Sequence, residues 1–212
     1  MNKLEINIYG DISEDYGYGS QMLLNALEGK EDIEEIHVHI NSFGGSVAEG
    51  IAIYNILKNH KAKVITYCDS FACSIASVIF MAGDERIMNE ASLLMIHNAW
   101  TIAVGNAENF RKQADDLDKI SELSVGIYAK TTGLDEKFIK EMMDAETWID
   151  SSEAIEYNFA TDIVEEKTEE VVQSVKQSLI KKIKQPQIVE KIVEVEKVVE
   201  PTALDKFIKI FK

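Results

Sequence analysis

Residues 64–83 constrain the fold more than any other stretch, because two strongly apolar segments are joined there by a run of small residues. Val64–Ile65–Thr66–Tyr67–Cys68 is dominated by β-branched and aromatic side chains, which predicts a buried strand. Asp69–Ser70–Phe71–Ala72–Cys73–Ser74–Ile75–Ala76–Ser77 predicts a turn, and Val78–Ile79–Phe80–Met81–Ala82–Gly83 a helix that stops at its glycine. A serine at a strand-to-helix turn lies beside orphan N–H groups and the positive end of the helix dipole. That seat favours developing negative charge and suits a nucleophile. Three serines compete for it: Ser70, Ser74 and Ser77.

The chain of 212 residues is long enough for one well-buried domain with some length to spare. Its 46% hydrophobic and 28% charged residues are those of a soluble globular protein. No apolar run reaches the roughly 18–20 residues of a membrane span, and Met1–Asn2–Lys3–Leu4–Glu5 runs straight into a strand pattern, so a cytoplasmic location is expected. Cys68 and Cys73 read as thiols of a reducing compartment. The net charge of −15 is uneven: residues 165–212 carry 10 Lys against 9 Asp or Glu, leaving 12 basic against 28 acidic residues before them. A body that acidic repels a nucleic acid backbone, so no nucleic-acid partner is expected.

In chain order, Leu4–Gly10 alternates apolar and polar residues as a half-buried strand does, and Asp11–Gly19 reads as a loop. Gln21–Leu27 reads as a short helix, and Ile36–Ile40 as a second strand. His37 and His39 share one face of that strand, but no third ligand stands nearby, so no metal site is expected. Asn41–Ser42–Phe43–Gly44–Gly45–Ser46 then makes a sharp turn, and Ser46 with Glu49 fits a capping box opening a helix over Val47–Lys58. Its backbone N–H groups could meet an oxyanion or simply close a tight turn.

Ser92–Ile96 reads as another buried strand, with His97 directly after it as either a base or a hydrogen-bonded structural residue. Thr101–Gly105 is extended or loop. Asn106 is placed to cap a long helix from Ala107 to about Lys130, with Phe110, Ala114, Leu117, Ile120, Ser124 and Ile127 along its stripe. A second helix starts at Asp135, the segment Asp144–Ala154 links it to a helix over Ser152–Tyr157, and Ala160–Val164 is a closing strand. Strands alternating with helices predict parallel βαβ units in an α/β layered domain. Strand ends in such a domain gather on one edge of the sheet, which would bring Gly44–Gly45, Ser74, His97 and the Asp144–Glu146 link together. The order Ser…His…Asp/Glu is compatible with a catalytic triad, and no Gly-x-Ser-x-Gly elbow supports an α/β-hydrolase.

The blocks Ile40–Asn41–Ser42–Phe43–Gly44–Gly45, Ser70–Phe71–Ala72–Cys73–Ser74, Met95–Ile96–His97 and Glu153–Ala154–Ile155–Glu156–Tyr157 resemble the proteolytic subunit of the Clp protease. Met95–Ile96–His97–Asn98–Ala99–Trp100, Ala114–Ile120 and Asp144–Ala145–Glu146–Thr147–Trp148 resemble more closely its bacteriophage relatives, the Clp-like head maturation (prohead) proteases. The resemblance spans about residues 4–165. It implies a Clp/crotonase-like fold of repeated ββα units wound into a superhelix, with the helix from Ala107 as a protruding handle that interlocks subunits into rings. It implies a serine endopeptidase without cofactor or metal, in which Ser74 is the nucleophile, His97 the general base, and the N–H groups of Gly45 and Ile75 the oxyanion hole. The family's aspartate falls on Glu146, one methylene longer, with Asp144 as the substitute. A protein or peptide substrate would pair as a strand with Gly44–Gly45 and the segment from Thr101. Phe43, Ser70, Cys73 and Ala99 depart from the pattern in loop shape rather than in reacting groups. The chain opens on its first strand without the residues that form axial loops in Clp subunits, an expectation against docking an unfoldase ATPase.

A housekeeping Clp core working with an unfoldase would share this chemistry. A crotonase-type acyl-CoA enzyme would share the fold without needing both Ser74 and His97, and a non-catalytic capsid assembly or scaffold protein would be indifferent to Ser74. Residues 166–212 lose glycine and fill with Lys, Glu and Val. Val172, Val175, Leu179 and Ile183 keep helical spacing there, which predicts a partly helical or disordered tail attached to the protease domain of residues 1–165.

Overall fold

A computed structural model describes residues 2–15 and 17–164; the expected tail and its helical stretches lie outside the described residues. The chain order is β1 (Lys3–Tyr9), α1 (Ser20–Leu27), β2 (Glu35–Ser42), α2 (Val47–Lys58), β3 (Lys63–Cys73), α3 (Ile75–Phe80), β4 (Glu85–Asn89) and β5 (Leu93–Ile96). It continues with α4 (Ala107–Thr132), α5 (Glu136–Asp144), β6 (Thr147–Asp150), α6 (Ser151–Glu156) and β7 (Asp162–Val164). A parallel sheet runs in the order β1-β2-β3-β4-β7, with β5 joined to β3 and β6 joined to β5.

The period-2 pattern decides which sheet face is covered. Along β2, Ile36, Val38, Ile40 and Ser42 are buried, while Glu35, His37 and His39 are half-buried on the other face. The buried face packs against Leu23 of α1, Ile53 and Leu57 of α2, and Ile79 and Phe80 of α3. Each such side chain removed from water contributes about 1.5–3 kcal/mol before entropy is counted. The two strand histidines are taken up by neighbours. His37 lies 3.0 Å from both the Tyr67 hydroxyl and Glu35, and His39 lies 2.9 Å from Asp69.

Several expectations are corrected. β3 does not stop at Cys68 but continues through the small residues to Cys73, bulging against β2 between Ile40 and Ser42. The ladder bonds to β2 and β5 hold extended a segment whose local composition favours a turn. The helix after it spans Ile75–Phe80 and is capped at Met81, so it starts three residues before the expected Val78 and ends before Gly83. The capping box of α2 is half formed, because Ser46 accepts from the Glu49 N–H at 3.4 Å while the Glu49 carboxylate turns away to the Ser20 N–H at 2.6 Å. Finally, the Asp144–Ala154 link contains β6, which pairs antiparallel with β5, so the sheet is not wholly parallel.

Asn106 caps α4 through a full capping box, and Gly133 closes it in the left-handed region at φ 79°. At 26 residues the helix is about 39 Å long. Its buried residues are Ser121, Val125, Tyr128 and Thr132, all in the second half. The expected stripe starting at Phe110 is therefore not the buried one: Phe110 is exposed, and no residue in the first half of α4 is fully buried, with Gln113, Asp116 and Leu117 half-buried. That half projects as a handle.

Candidate active site

The site forms where three strand ends meet. β3 ends at Cys73, and Ser74 takes φ 55° and ψ −129° before α3 begins. A side chain in that region costs about 1–3 kcal/mol and persists only when its surroundings enforce it. Here the Ser74 N–H is fixed to the Met95 carbonyl at 2.8 Å, and Gly44 lies so close that a Cβ added to it would sit 2.8 Å from Ser74 Cβ. His97 directly follows β5, whose Leu94 and Ile96 are fully buried, and its Nε2 lies 2.7 Å from Ser74 Oγ.

The antiparallel register Ile96↔Thr147 puts Glu146 across from His97. Its Oε2 is 3.7 Å from His97 Nδ1, which is an ion-pair distance and beyond a hydrogen bond. The Glu146 side chain is 61% exposed against 15% for His97. Asp144 ends α5 and accepts a hydrogen bond from Asn98 Nδ2 at 2.7 Å. The structure thus sets Glu146, and not Asp144, against the imidazole.

The turn carrying Gly44 and Gly45 is latched onto Ile12, whose N–H donates to the Gly44 carbonyl at 2.9 Å and whose carbonyl accepts from Ser46 at 2.7 Å. Gly45 has φ 145°, and a Cβ there would meet the Ile12 carbonyl oxygen at 2.2 Å, so only glycine fits. The N–H groups of Gly45 and Ile75 donate to no acceptor among the described residues. Two free N–H groups flanking a serine hydroxyl make a receptor for an oxyanion. Thr101 lies in an exposed segment without regular structure, and an open groove runs between His97–Trp100 and Met143–Glu146.

Cys73 is the nearest rival nucleophile. Burial pushes its thiol up to about 11, and that of Cys68 to about 12, so neither is a thiolate at neutral pH. Among the described residues no group of three His, Cys, Asp or Glu could hold a metal ion, and no helix is long and apolar enough to cross a membrane. A family model described as Clp protease matches residues 1–167.

The chain belongs to the Clp protease family. It is 32% identical over 152 residues to an ATP-dependent Clp protease proteolytic subunit of Deinococcus radiodurans, covering 71% of this chain and 74% of the relative. It is 32% identical over 143 residues to ATP-dependent Clp protease proteolytic subunit 1 of Prochlorococcus marinus, covering 66% and 73%. An ATP-dependent Clp protease proteolytic subunit of Borreliella afzelii is 29% identical over 140 residues, covering 65% and 71%. Membership makes the chain a serine-type endopeptidase, and the mixed α/β sheet with its long projecting helix is consistent with the Clp protease fold.

Two features near the site escape a reading of the sequence. Phe43, Phe71 and Trp148 form an aromatic strip beside Gly44, with ring centroids 5.2 Å and 6.3 Å apart, although they come from three separate segments. Ser77, which looks like a mere competitor of Ser74, is buried and bonded to Tyr128 at 2.8 Å. The helical i, i+3 spacing of Ser74 and Ser77 is the one sequence signal that could have linked them.

Proposed function

We propose that Ser74 is the nucleophile, His97 its general base and Glu146 the carboxylate that orients the imidazole, with the N–H groups of Gly45 and Ile75 binding the oxyanion. The observation that carries this reading is the 2.7 Å contact between His97 Nε2 and the hydroxyl of a strained Ser74. In the reaction, His97 Nε2 takes the Ser74 proton as Oγ attacks the scissile carbonyl, then delivers it to the leaving amine. Water, deprotonated by the same nitrogen, hydrolyses the acyl-enzyme. The substrate lies extended along Gly44–Gly45 and the segment from Thr101, pairing by its backbone.

The finer reading is a phage or prophage head maturation protease, acting on a capsid or scaffold protein in association with the procapsid. Its support is the likeness of Met95–Trp100, Ala114–Ile120 and Asp144–Trp148 to that branch. The handle half of α4 and the exposed Trp100, Ile102 and Val104 suit assembly into a homo-oligomeric ring, since apolar surface of that size on a lone subunit seeks cover. A second reading, a proteolytic core fed by an unfoldase ATPase, is favoured by the names of the relatives.

Ser74→Ala against wild type, with a fluorophosphonate probe and a peptide substrate, tests the chemistry. Wild type is expected to label and cleave, and the variant to do neither; equal labelling and cleavage in both would overturn the assignment. Capsid protein and a folded substrate with ATP and unfoldase separate the two readings. Cleavage of the first without ATP supports head maturation, and ATP-stimulated degradation of the second supports the Clp core.

A further inference from the structure

A chain of buried hydroxyls connects α4 to the peptide that carries the Ile75 N–H. Ser77 Oγ lies 2.6 Å from the Ser74 carbonyl oxygen, 3.2 Å from the Met95 carbonyl oxygen and 2.8 Å from the Tyr128 hydroxyl. Ser77 has one hydroxyl proton, and a carbonyl can only accept. If that proton pointed at Tyr128, two carbonyl oxygens would face the bare Ser77 oxygen. The proton therefore goes to the Ser74 carbonyl, at the shorter distance, and Tyr128 must donate to Ser77. The direction Tyr128 O–H to Ser77 O–H to Ser74 C=O is fixed by counting protons. Tyr128 is buried at 1% exposure, and burial raises its pKa, so it holds its proton across the working pH range.

The Ser74 carbonyl also accepts from the Ser77 N–H at 3.0 Å, so both of its lone pairs are used. That carbonyl and the Ile75 N–H are the two ends of one peptide group. Hydrogen bonds accepted at the oxygen withdraw electron density through the amide and make its N–H a stronger donor, and bonds in series reinforce one another. The same bonds hold the plane of the Ser74–Ile75 peptide, which the strained backbone at Ser74 would otherwise be free to rotate.

We infer that Tyr128 is a positioning residue for the hydrolytic reaction, acting through Ser77 to aim and polarise the Ser74–Ile75 peptide whose N–H receives the oxyanion. The inference rests on the proposed role of that N–H. It places one end of an oxyanion relay on the helix whose other end forms the projecting handle.

The test uses the full chain as Tyr128→Phe, Ser77→Ala and the double variant. Tyr128→Phe keeps the ring that packs on Phe159 and removes only the donor. One lost link should cost less than losing an oxyanion donor outright, so kcat is expected to fall roughly three- to tenfold with KM unchanged. Ser77→Ala should fall further, and the double variant should match Ser77→Ala, because Tyr128 has no route to the site without Ser77. A peptide boronate, whose tetrahedral adduct places an oxygen in the oxyanion site, should lose affinity for Tyr128→Phe by the same factor as kcat. A product peptide should bind unchanged. A purely structural role would lower the melting temperature and leave kcat and boronate affinity alone, and that result, or additive effects in the double variant, would overturn the inference. Wild type that cleaves normally while Ser74→Ala also cleaves would instead overturn the proposed site itself.

Discussion

Replacing Glu146 by Gln removes the charge that faces His97 and keeps the side chain's shape. Two unit charges about 4 Å apart interact by about 1 kcal/mol in water and about 4 kcal/mol at the lower effective dielectric found near a protein surface, before desolvation and side-chain ordering are counted. The partners are 3.7 Å apart and Glu146 is 61% exposed, so the low figure applies, in line with the 0.2–1 kcal/mol typical of exposed pairs. A loss of about 1 kcal/mol in transition-state stabilisation is about fivefold in rate. By contrast, removing a buried carboxylate that hydrogen-bonds its histidine costs about 10⁴-fold in a Ser-His-Asp triad. Glu146→Gln is therefore expected to lower kcat about fivefold, and Asp144→Asn, which disturbs only the Asn98 contact, to leave the chemistry nearly unchanged. Steady-state cleavage of a fluorogenic peptide, with the rate of fluorophosphonate labelling, measures both. A drop of 10³-fold or more for Glu146→Gln would refute the loose ion pair and require a closed hydrogen bond in the working enzyme. A larger effect at Asp144 than at Glu146 would move the third role to Asp144.

Gly50→Ala should reverse the usual sign for a helix interior. Alanine normally gains about 1 kcal/mol over glycine there, but the added Cβ would lie 2.1 Å from Ile75 Cγ1, and overpacking costs about 1–3 kcal/mol. The variant should melt a few degrees lower by calorimetry and, under the proposed oxyanion role of the Ile75 N–H, lose activity as well; a higher melting temperature would contradict the close packing of α2 on α3. Glu49→Gln tests the bond to Ser20, which is the leading cause of the lowered Glu49 pKa. A depressed carboxylate stabilises above its unfolded pKa and loses that contribution as pH falls through the folded value, so wild type should melt above the variant at neutral pH and the gap should close below about pH 4. A gap that persists at lower pH would mean that the carboxylate's charge is not what stabilises.

Elements whose signals are local were legible in the sequence. Val47–Lys58 was bounded by Ser46 and a run of apolar residues, and Asn106 and Asp135 announced their helices because a cap acts on N–H groups two or three residues away. Ser74 and His97 were placed by their blocks and by the strands beside them. Misread elements depend on partners far along the chain. Residues 69–73 look like a turn in isolation and become strand because β2 and β5 supply their bonds. β6 has four residues, too few to show a period, and its partner lies some fifty positions earlier. The buried half of α4 was missed because its stripe includes Ser121 and Thr132, whose hydroxyls bond back to the Leu117 and Tyr128 carbonyls and so can be buried.

The four residues of β5 hold the site together. Its parallel register Cys73↔Met95 fixes Ser74, whose N–H bonds the Met95 carbonyl, and its antiparallel register Ile96↔Thr147 brings Glu146 across from His97. Leu94 and Ile96 are fully buried, so His97 leaves the strand on the side of Met95 and toward Ser74. A slip of one residue would turn Leu94 and Ile96 to the face that holds Met95 and drive the imidazole toward the core. The burial of two aliphatic side chains therefore enforces the alignment of the imidazole. Under the proposed triad a loosely held Glu146 is then enough, since the orientation a buried carboxylate would otherwise impose on His97 is already set by the strand that precedes it.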